Sequence, residues 1–296
     1  MKFLDPKIDT AFKRLFGSED QKSVTIAFLN SILEYTGDRR IRTIDFLNTE
    51  QQPIAQDKKE NILDILCIDE GGRQFIIEMQ NAWELGFDKR MIWYGTKTYT
   101  SQLNEAMPYH HLKPVAVVAI CKKFNVFPKN TDYKSIHYLI NNKTKERDLE
   151  DLSYAFIELL KFKKQEHELK TDEEKWLFLL KEITFCDAIP NSLNQGEFKK
   201  ACDALNRMSW TDNAYTVYQK MMIKAQSAEA TANLLEKAEK GLKEAEKGLK
   251  EAAKSLQEAH EEERLKIAKA MLKKGLDLET IVSVTGLSSN QIKNLK

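Results

Sequence analysis

Two carboxylates and an amide stand close together in a part of the sequence that otherwise predicts apolar strands. Asp64 has aliphatic residues on both sides, and a carboxylate in such a place is costly to bury unless it is paired, hydrogen-bonded or bound to a metal ion. In the next predicted strand, Glu78 and Gln80 share one face because side chains alternate along a strand. A Gly-Gly turn at residues 71–72 separates the two segments and predicts an antiparallel hairpin. In that hairpin Asp64 and Glu78 come close to being cross-strand neighbours.

Two carboxylates on neighbouring strand positions predict a cation site. They repel each other unless one is protonated or a cation lies between them. Oxygen ligands favour a hard divalent ion, and Mg²⁺ suits a site of one or two carboxylates that keeps several waters for a phosphate substrate. Asp64 and Glu78 therefore predict metal-assisted hydrolysis of a phosphodiester bond. The structural alternative is that each carboxylate pairs with a basic side chain such as Arg73.

The patterns around the hairpin alternate between helix and strand. Apolar residues recur at helical spacing over residues 9–35, with a break at residues 17–20. Short apolar segments predict strands at residues 41–48, 62–68, 74–80 and 114–121, with weaker candidates at 136–140 and 154–159. A helix is predicted over residues 87–107. The almost continuous apolar run of the fourth strand is typical of a central strand covered on both faces.

Beyond about residue 165 the pattern is helical, and part of it repeats every seven residues. Leucine fills one core position of the repeat and alanine the other, at Leu235, Leu242, Leu249 and Leu256 and at Ala238, Ala245, Ala252 and Ala259. This register predicts a coiled coil and hence a homo-oligomer. The register is soft because alanine fills little core volume, and Gly241 and Gly248 each cost about 1 kcal/mol of helix propensity relative to alanine. A single solvated helix that acts as a spacer is the alternative.

The last thirty or so residues predict a small helical unit. Helical patterns cover residues 264–274, 278–285 and 289–296. Asp277 and Ser288 stand at N-cap positions, and Gln291 completes a capping-box pattern with Ser288. A helix-turn-helix unit fits this pattern. Contact with protein is favoured over contact with nucleic acid, because the final helix offers few base-reading residues.

The composition excludes several classes of protein. There are 46 basic and 45 acidic residues, so the net charge of +1 marks neither a basic nucleic-acid-binding chain nor an acidic tail protein. The sequence has no long apolar run and no apolar segment at its start, which predicts no membrane span, no signal peptide and a cytoplasmic location. Four scattered cysteines without a CxxC pair argue against a disulfide framework and a cysteine zinc site.

The hairpin also resembles a known superfamily. Asp64, followed after thirteen residues by Glu78-Met79-Gln80, resembles the motif of the PD-(D/E)xK nucleases. Residues 9–17, 77–80 and 90–94 resemble the Rpn family of recombination-promoting nucleases, also described as transposases. The resemblance implies an α/β fold with a restriction-endonuclease-like core, a mixed central sheet flanked by helices, and an all-α C-terminal region. Together with the patterns above, it divides the chain into a nuclease-like domain (1–165), a helical region (166–225), a heptad-repeat helix or coiled coil (226–262) and a helical mini-domain (263–296).

The resemblance also implies roles for the acidic residues. Asp64 and Glu78 would bind Mg²⁺, with Mn²⁺ as a substitute, in a DNA endonuclease linked to recombination, mobile elements or defence. Asp9 is a candidate third metal ligand. An equally supported alternative is that Asp9 is the N-cap of the first helix or a negative charge in its first turn.

Gln80 occupies the place of the superfamily lysine. A neutral amide can orient water, but it neither supplies positive charge to the transition state nor accepts a proton. The source of the base therefore stays open between the metal ion alone, Lys13 and Lys97. A second function is also open, in which a catalytically weak or inactive nuclease fold binds nucleic acid or protein.

Overall fold

The computed structural model describes residues 2–51, 61–103 and 107–295. Its backbone divides into two compact units, Met1–Asn233 and Leu234–Lys296. The elements of the first unit are the helices α1 (Asp9–Phe16), α2 (Lys22–Ile32), α3 (Phe87–Thr100), α4 (Asp172–Glu182) and α5 (Gly196–Leu205), and the strands β1 (Ile44–Phe46), β2 (Glu50–Gln51), β3 (Asn61–Ile62), β4 (Ile65–Asp69), β5 (Gln74–Gln80), β6 (Val115–Cys121), β7 (Lys134–Leu139) and β8 (Leu149–Glu158).

The main sheet of the first unit is mixed. Within the described residues it has six strands in the order β1-β4-β5-β6-β8-β7, and β2 pairs with β3 in a separate ribbon. Strand β6 runs parallel to β5 and β8, while the other pairings of the sheet are antiparallel. Every residue of β6 is buried, which confirms the predicted central strand. The predicted mixed sheet flanked by helices is confirmed.

Helices cover both faces of this sheet. Ile77 and Val118 face a core that includes side chains of α1, α2, α4 and α5, whereas Ile76 and Val117 face a smaller core with α3. Trp176 of α4 is completely buried, and its ring centroid lies 5.9 Å from that of Phe28. Helices α4 and α5, which follow residue 165, thus share a core with the sheet. The domain boundaries stay predictions.

Two predicted elements end differently in the structure. The predicted strand over residues 62–68 is interrupted, since β3 ends at Ile62 and β4 begins at Ile65. Helix α3 ends at Thr100 rather than at residue 107, and residues 104–106 lie outside the described part of the chain. The side chain of Gln102 both donates to and accepts from the backbone of Lys113, at 2.9 Å each, which directs the chain toward β6.

The second unit contains the end of a long helix and two short ones. They are α6 (Asp212–Lys273), which begins in the first unit, α7 (Leu278–Thr285) and α8 (Ser289–Lys293). The N-caps at Asp277 and Ser288 are confirmed, and Ser288 and Gln291 form the predicted capping box. The prediction of a separate helix at residues 264–274 is wrong in its start, because the strong helix formers before it let α6 continue.

A small apolar core holds these last helices together. It contains Ala268 of α6, Ile281 of α7, Ile292 of α8, and Leu287 between α7 and α8, all of them buried. None of the helices in the described parts of the chain has the length and apolar character that a membrane crossing requires.

Candidate active site

Asp64 and Glu78 hold each other's segments in place. The pairing of Ile65 with Ile77 in the β4–β5 hairpin sets Asp64 opposite Glu78. The backbone N–H of Asp64 donates to Oε1 of Glu78 at 2.9 Å. In return, the backbone N–H of Met79 donates to Oδ2 of Asp64 at 2.8 Å. The hairpin therefore brings the two carboxylates together, as the sequence predicts.

These two bonds explain why the predicted strand is interrupted. Backbone groups around Asp64 and Met79 bond to carboxylates instead of to a facing backbone. The ladder that begins at Ile65 therefore does not extend through Asp64. The sequence prediction that Asp64 lies inside a strand is wrong. The bend leaves Asp64 half-buried, directly before the start of β4.

Burial raises the pKa of both carboxyl groups. Glu78 is only 5% exposed. For Glu78, loss of solvent is the main cause, and the nearby Asp64 charge adds to it. For Asp64, loss of solvent again comes first, and the hydrogen bond from Met79 opposes it without outweighing it. A bound cation would stabilise the ionised form of these two buried carboxyl groups.

Lys13 and Asp9 lie beside this pair on α1. Their charged atoms are 2.9 Å apart, and both side chains are about two-fifths exposed, at 41% and 42%. The charge of Lys13 acts to lower the pKa of both Asp64 and Glu78, whereas the charge of Asp9 acts to raise that of Asp64. Asp9 therefore lies near the pair in an ion pair of its own with Lys13.

Gln80 is held by an arginine of the next helix. Nη2 of Arg90, in the first turn of α3, donates to Oε1 of Gln80 at 2.6 Å. Nε2 of Gln80 donates to the carbonyl of Ala82 at 2.8 Å. The Arg90 guanidinium also bonds to Glu84, and its charge acts to lower the pKa of Asp64 and Glu78. The amide thus orients a permanent cation toward the carboxylate pair.

Arg90 is a candidate functional residue to which the sequence analysis assigned no role in the site. In the sequence it is one of many cations after β5. The signal that could have found it is the amide at Gln80: a site that lacks its lysine needs another positive charge, and Arg90 lies in the first turn of the following helix. Lys97, the other lysine considered from the sequence, is buried with its ammonium 5.2 Å from the Trp93 ring centroid.

Asp64 and Glu78 are the residues that could hold a hydrated divalent ion. Within the described parts of the chain, no three His, Cys, Asp or Glu side chains come together as a metal site. One or two carboxylates are nonetheless enough for Mg²⁺, because this ion keeps several waters as its other ligands. A cavity of about 240 Å³ lies beside Asp64 and is also lined by Lys13 and Thr49. The cavity has room for such waters, at about 30 Å³ each.

The comparisons with known proteins agree with this geometry. Residues 6–232 match the family described as PD-(D/E)XK nuclease family transposase. The chain belongs to this family. Residues 261–296 match the C-terminal HTH domain of the Rpn/YhgA-like nuclease family. No curated protein and no solved structure matches the chain.

Membership of the PD-(D/E)XK nuclease family confirms the resemblance noted from the sequence. For the last helices, the sequence favoured contact with protein over contact with nucleic acid. The HTH match favours contact with DNA instead. The sequence resemblance puts Gln80 at the place of the superfamily lysine, and in the structure Arg90 is the cation that donates to Gln80.

Proposed function

We propose that this protein is a metal-dependent DNA endonuclease in which Asp64 and Glu78 hold Mg²⁺, with Mn²⁺ able to replace it. The observation that carries the proposal is the buried carboxylate pair, fixed by reciprocal bonds to backbone N–H groups, in a chain of a nuclease family. When bound, the metal ion polarises a phosphoryl oxygen and makes water a stronger nucleophile.

The residues of the chain then have separate tasks. Asp64 and Glu78 would hold the cation, and the hairpin sets the positions of their carboxylates in advance. Arg90, oriented by Gln80, supplies the positive charge that stabilises negative charge developing on the phosphate. Lys13 contacts the phosphate from the cavity beside Asp64. The predicted third ligand, Asp9, is given no such task, because it pairs with Lys13 and no third carboxylate joins Asp64 and Glu78 within the described residues.

The C-terminal part would serve DNA docking and self-association. The HTH match supports contact of residues 261–296 with DNA. The heptad leucines of α6, from Leu235 to Leu256, are each at least 60% exposed. Their seven-residue spacing fits the same surface of a second copy. We propose that the activity serves recombination, mobile-element maintenance or defence.

A second candidate is a nuclease fold with little or no catalysis that binds DNA. Gln80 favours it, because its amide is committed to Arg90 and Ala82 and has no basic nitrogen. Incubation of supercoiled plasmid with Mg²⁺ or Mn²⁺ separates the candidates. The endonuclease proposal expects nicking that EDTA and Asp64→Asn abolish. Nicking that persists in the variant contradicts it, and DNA binding without nicking in either metal favours the second candidate.

A further inference from the structure

A second polar cavity lies at the end of the main sheet where β5 and β6 begin. Its volume is about 150 Å³, and its wall includes Gln74 at the start of β5 and Val115 at the start of β6. Glu78, in contrast, lies near the other end of β5. This cavity is therefore separate from the carboxylate site.

Three arginines from three separate segments line this cavity. Arg39 follows α2, Arg73 belongs to the β4–β5 turn, and Arg147 belongs to the connection between β7 and β8. The guanidinium carbons of Arg39 and Arg73 lie 5.4 and 5.1 Å from the ring centroid of Tyr35, which also lines the cavity. Burial raises the pKa of the Tyr35 hydroxyl, while the charges of all three arginines act to lower it. The three charges thus converge on one place.

Few of the guanidinium N–H donors have a hydrogen-bond acceptor among the described residues. Each guanidinium carries five N–H groups. Nε of Arg73 donates to Asp69 at 2.6 Å, and Nη2 of Arg147 donates to the carbonyl of Glu150 at 2.9 Å. Nη2 of Arg39 lies 3.8 Å from the Glu150 carboxylate, too far for a hydrogen bond. The buried Nε of Arg147 has no acceptor in the part of the chain that the structure describes.

The charge around the cavity remains positive. Asp69 and Glu150 offset two of the three arginine charges. An unpaired buried donor is unfavourable, and guanidinium groups match the oxygens of phosphate with parallel pairs of hydrogen bonds. The volume corresponds to about five water molecules at about 30 Å³ each. It therefore accommodates a tetrahedral oxyanion but not a whole nucleotide.

We propose that this cavity binds a phosphate group, either inorganic phosphate or the terminal phosphate of a nucleic acid strand. The site is independent of the proposed endonuclease activity. Its donors are Arg39, Arg73 and Arg147, and Tyr35 forms one wall.

Calorimetric titration of the full chain with inorganic phosphate, in chloride buffer of constant ionic strength with EDTA, tests the site. The wild-type chain binds phosphate saturably at one site. Arg147→Gln and Arg39→Gln each weaken this binding about tenfold or more, because each removes charge-assisted hydrogen bonds. Arg40→Gln is the matched control, since it removes the same charge from an exposed neighbour and leaves the affinity unchanged.

Three results would overturn the proposal: no saturable binding by the wild-type chain, unchanged affinity in the Arg147 and Arg39 variants, or an equal loss in Arg40→Gln. Thermal melting without phosphate verifies that each variant folds. Arg39 is 56% exposed, so its variant keeps the test valid if Arg147→Gln does not fold. Asp64→Asn should bind phosphate as the wild type does, whatever its nuclease activity.

Competition by oligonucleotides identifies the source of the phosphate. If the cavity accepts a strand end, a short strand with a 5′-phosphate displaces inorganic phosphate. The same strand without its 5′-phosphate does not displace inorganic phosphate. If neither strand competes, the ligand is free phosphate. Either result supports the oxyanion site.

Discussion

The raised pKa values of Asp64 and Glu78 make a prediction about stability. Folding favours the protonated form of both carboxyl groups. Their whole contribution to the free energy of unfolding is therefore present at a pH below the ordinary pKa of a carboxyl group. That contribution is lost as the pH rises through the raised pKa values of the folded protein. Glu78→Gln keeps an oxygen that accepts from the Asp64 N–H but carries no charge. In EDTA, we expect this variant to gain melting temperature over the wild type as the pH rises toward 8. A difference that is constant with pH would contradict this cause.

Arg90 makes a second prediction at the residue scale. Arg90→Gln removes the cation that Gln80 orients, so the nicking rate at saturating DNA should fall about 10²-fold, the usual effect of losing one donor to a developing negative charge. Arg90→Lys should retain part of the rate. The control is Lys89→Gln, which removes an exposed charge one position earlier. Equal rates in the Arg90→Gln and Lys89→Gln variants would remove Arg90 from the mechanism.

At the scale of elements, apolar runs and turn residues in the sequence predicted the strands and the hairpin of the sheet. The apolar run before Cys121 predicted β6, and the Gly-Gly turn predicted the β4–β5 hairpin. The break at Asp64 was not predictable from propensity, because it depends on backbone N–H groups that donate to carboxylates fourteen and fifteen positions away. The Gln80–Arg90 bond was missed for a similar reason, since it joins a strand to the next helix.

The heptad stripe of α6, which is the row of exposed leucines from Leu235 to Leu256, gives a third prediction. Leu242 and Leu249 are 62% and 76% exposed in the single chain. If the stripe pairs with a second copy, replacing both leucines by glutamate should convert an oligomer into a monomer, because charges enter the apolar seam. Sedimentation equilibrium measures the mass. Gln257→Glu, outside the leucine and alanine positions, is the control. A wild-type chain that sediments as a monomer would leave the stripe as a spacer.

At the scale of the whole molecule, the net charge of +1 means that attraction to DNA must be local. The family matches place the nuclease part and the HTH part in separate stretches of the chain. We therefore expect a chain that ends at residue 260 to lose DNA affinity while it still nicks plasmid at high protein concentration. Binding by fluorescence anisotropy, at several salt concentrations, measures the first effect. Unchanged affinity after truncation would contradict a docking role for the HTH part.

Metal binding tests the central claim most directly. Calorimetric titration with Mn²⁺ and with Mg²⁺, without DNA, should show one saturable site in the wild-type chain. Asp64→Asn and Glu78→Gln should each abolish that site, while Asp38→Asn, which removes an exposed carboxylate elsewhere, should leave it intact. Undiminished binding by the Asp64→Asn, Glu78→Gln double variant would show that the cation lies elsewhere.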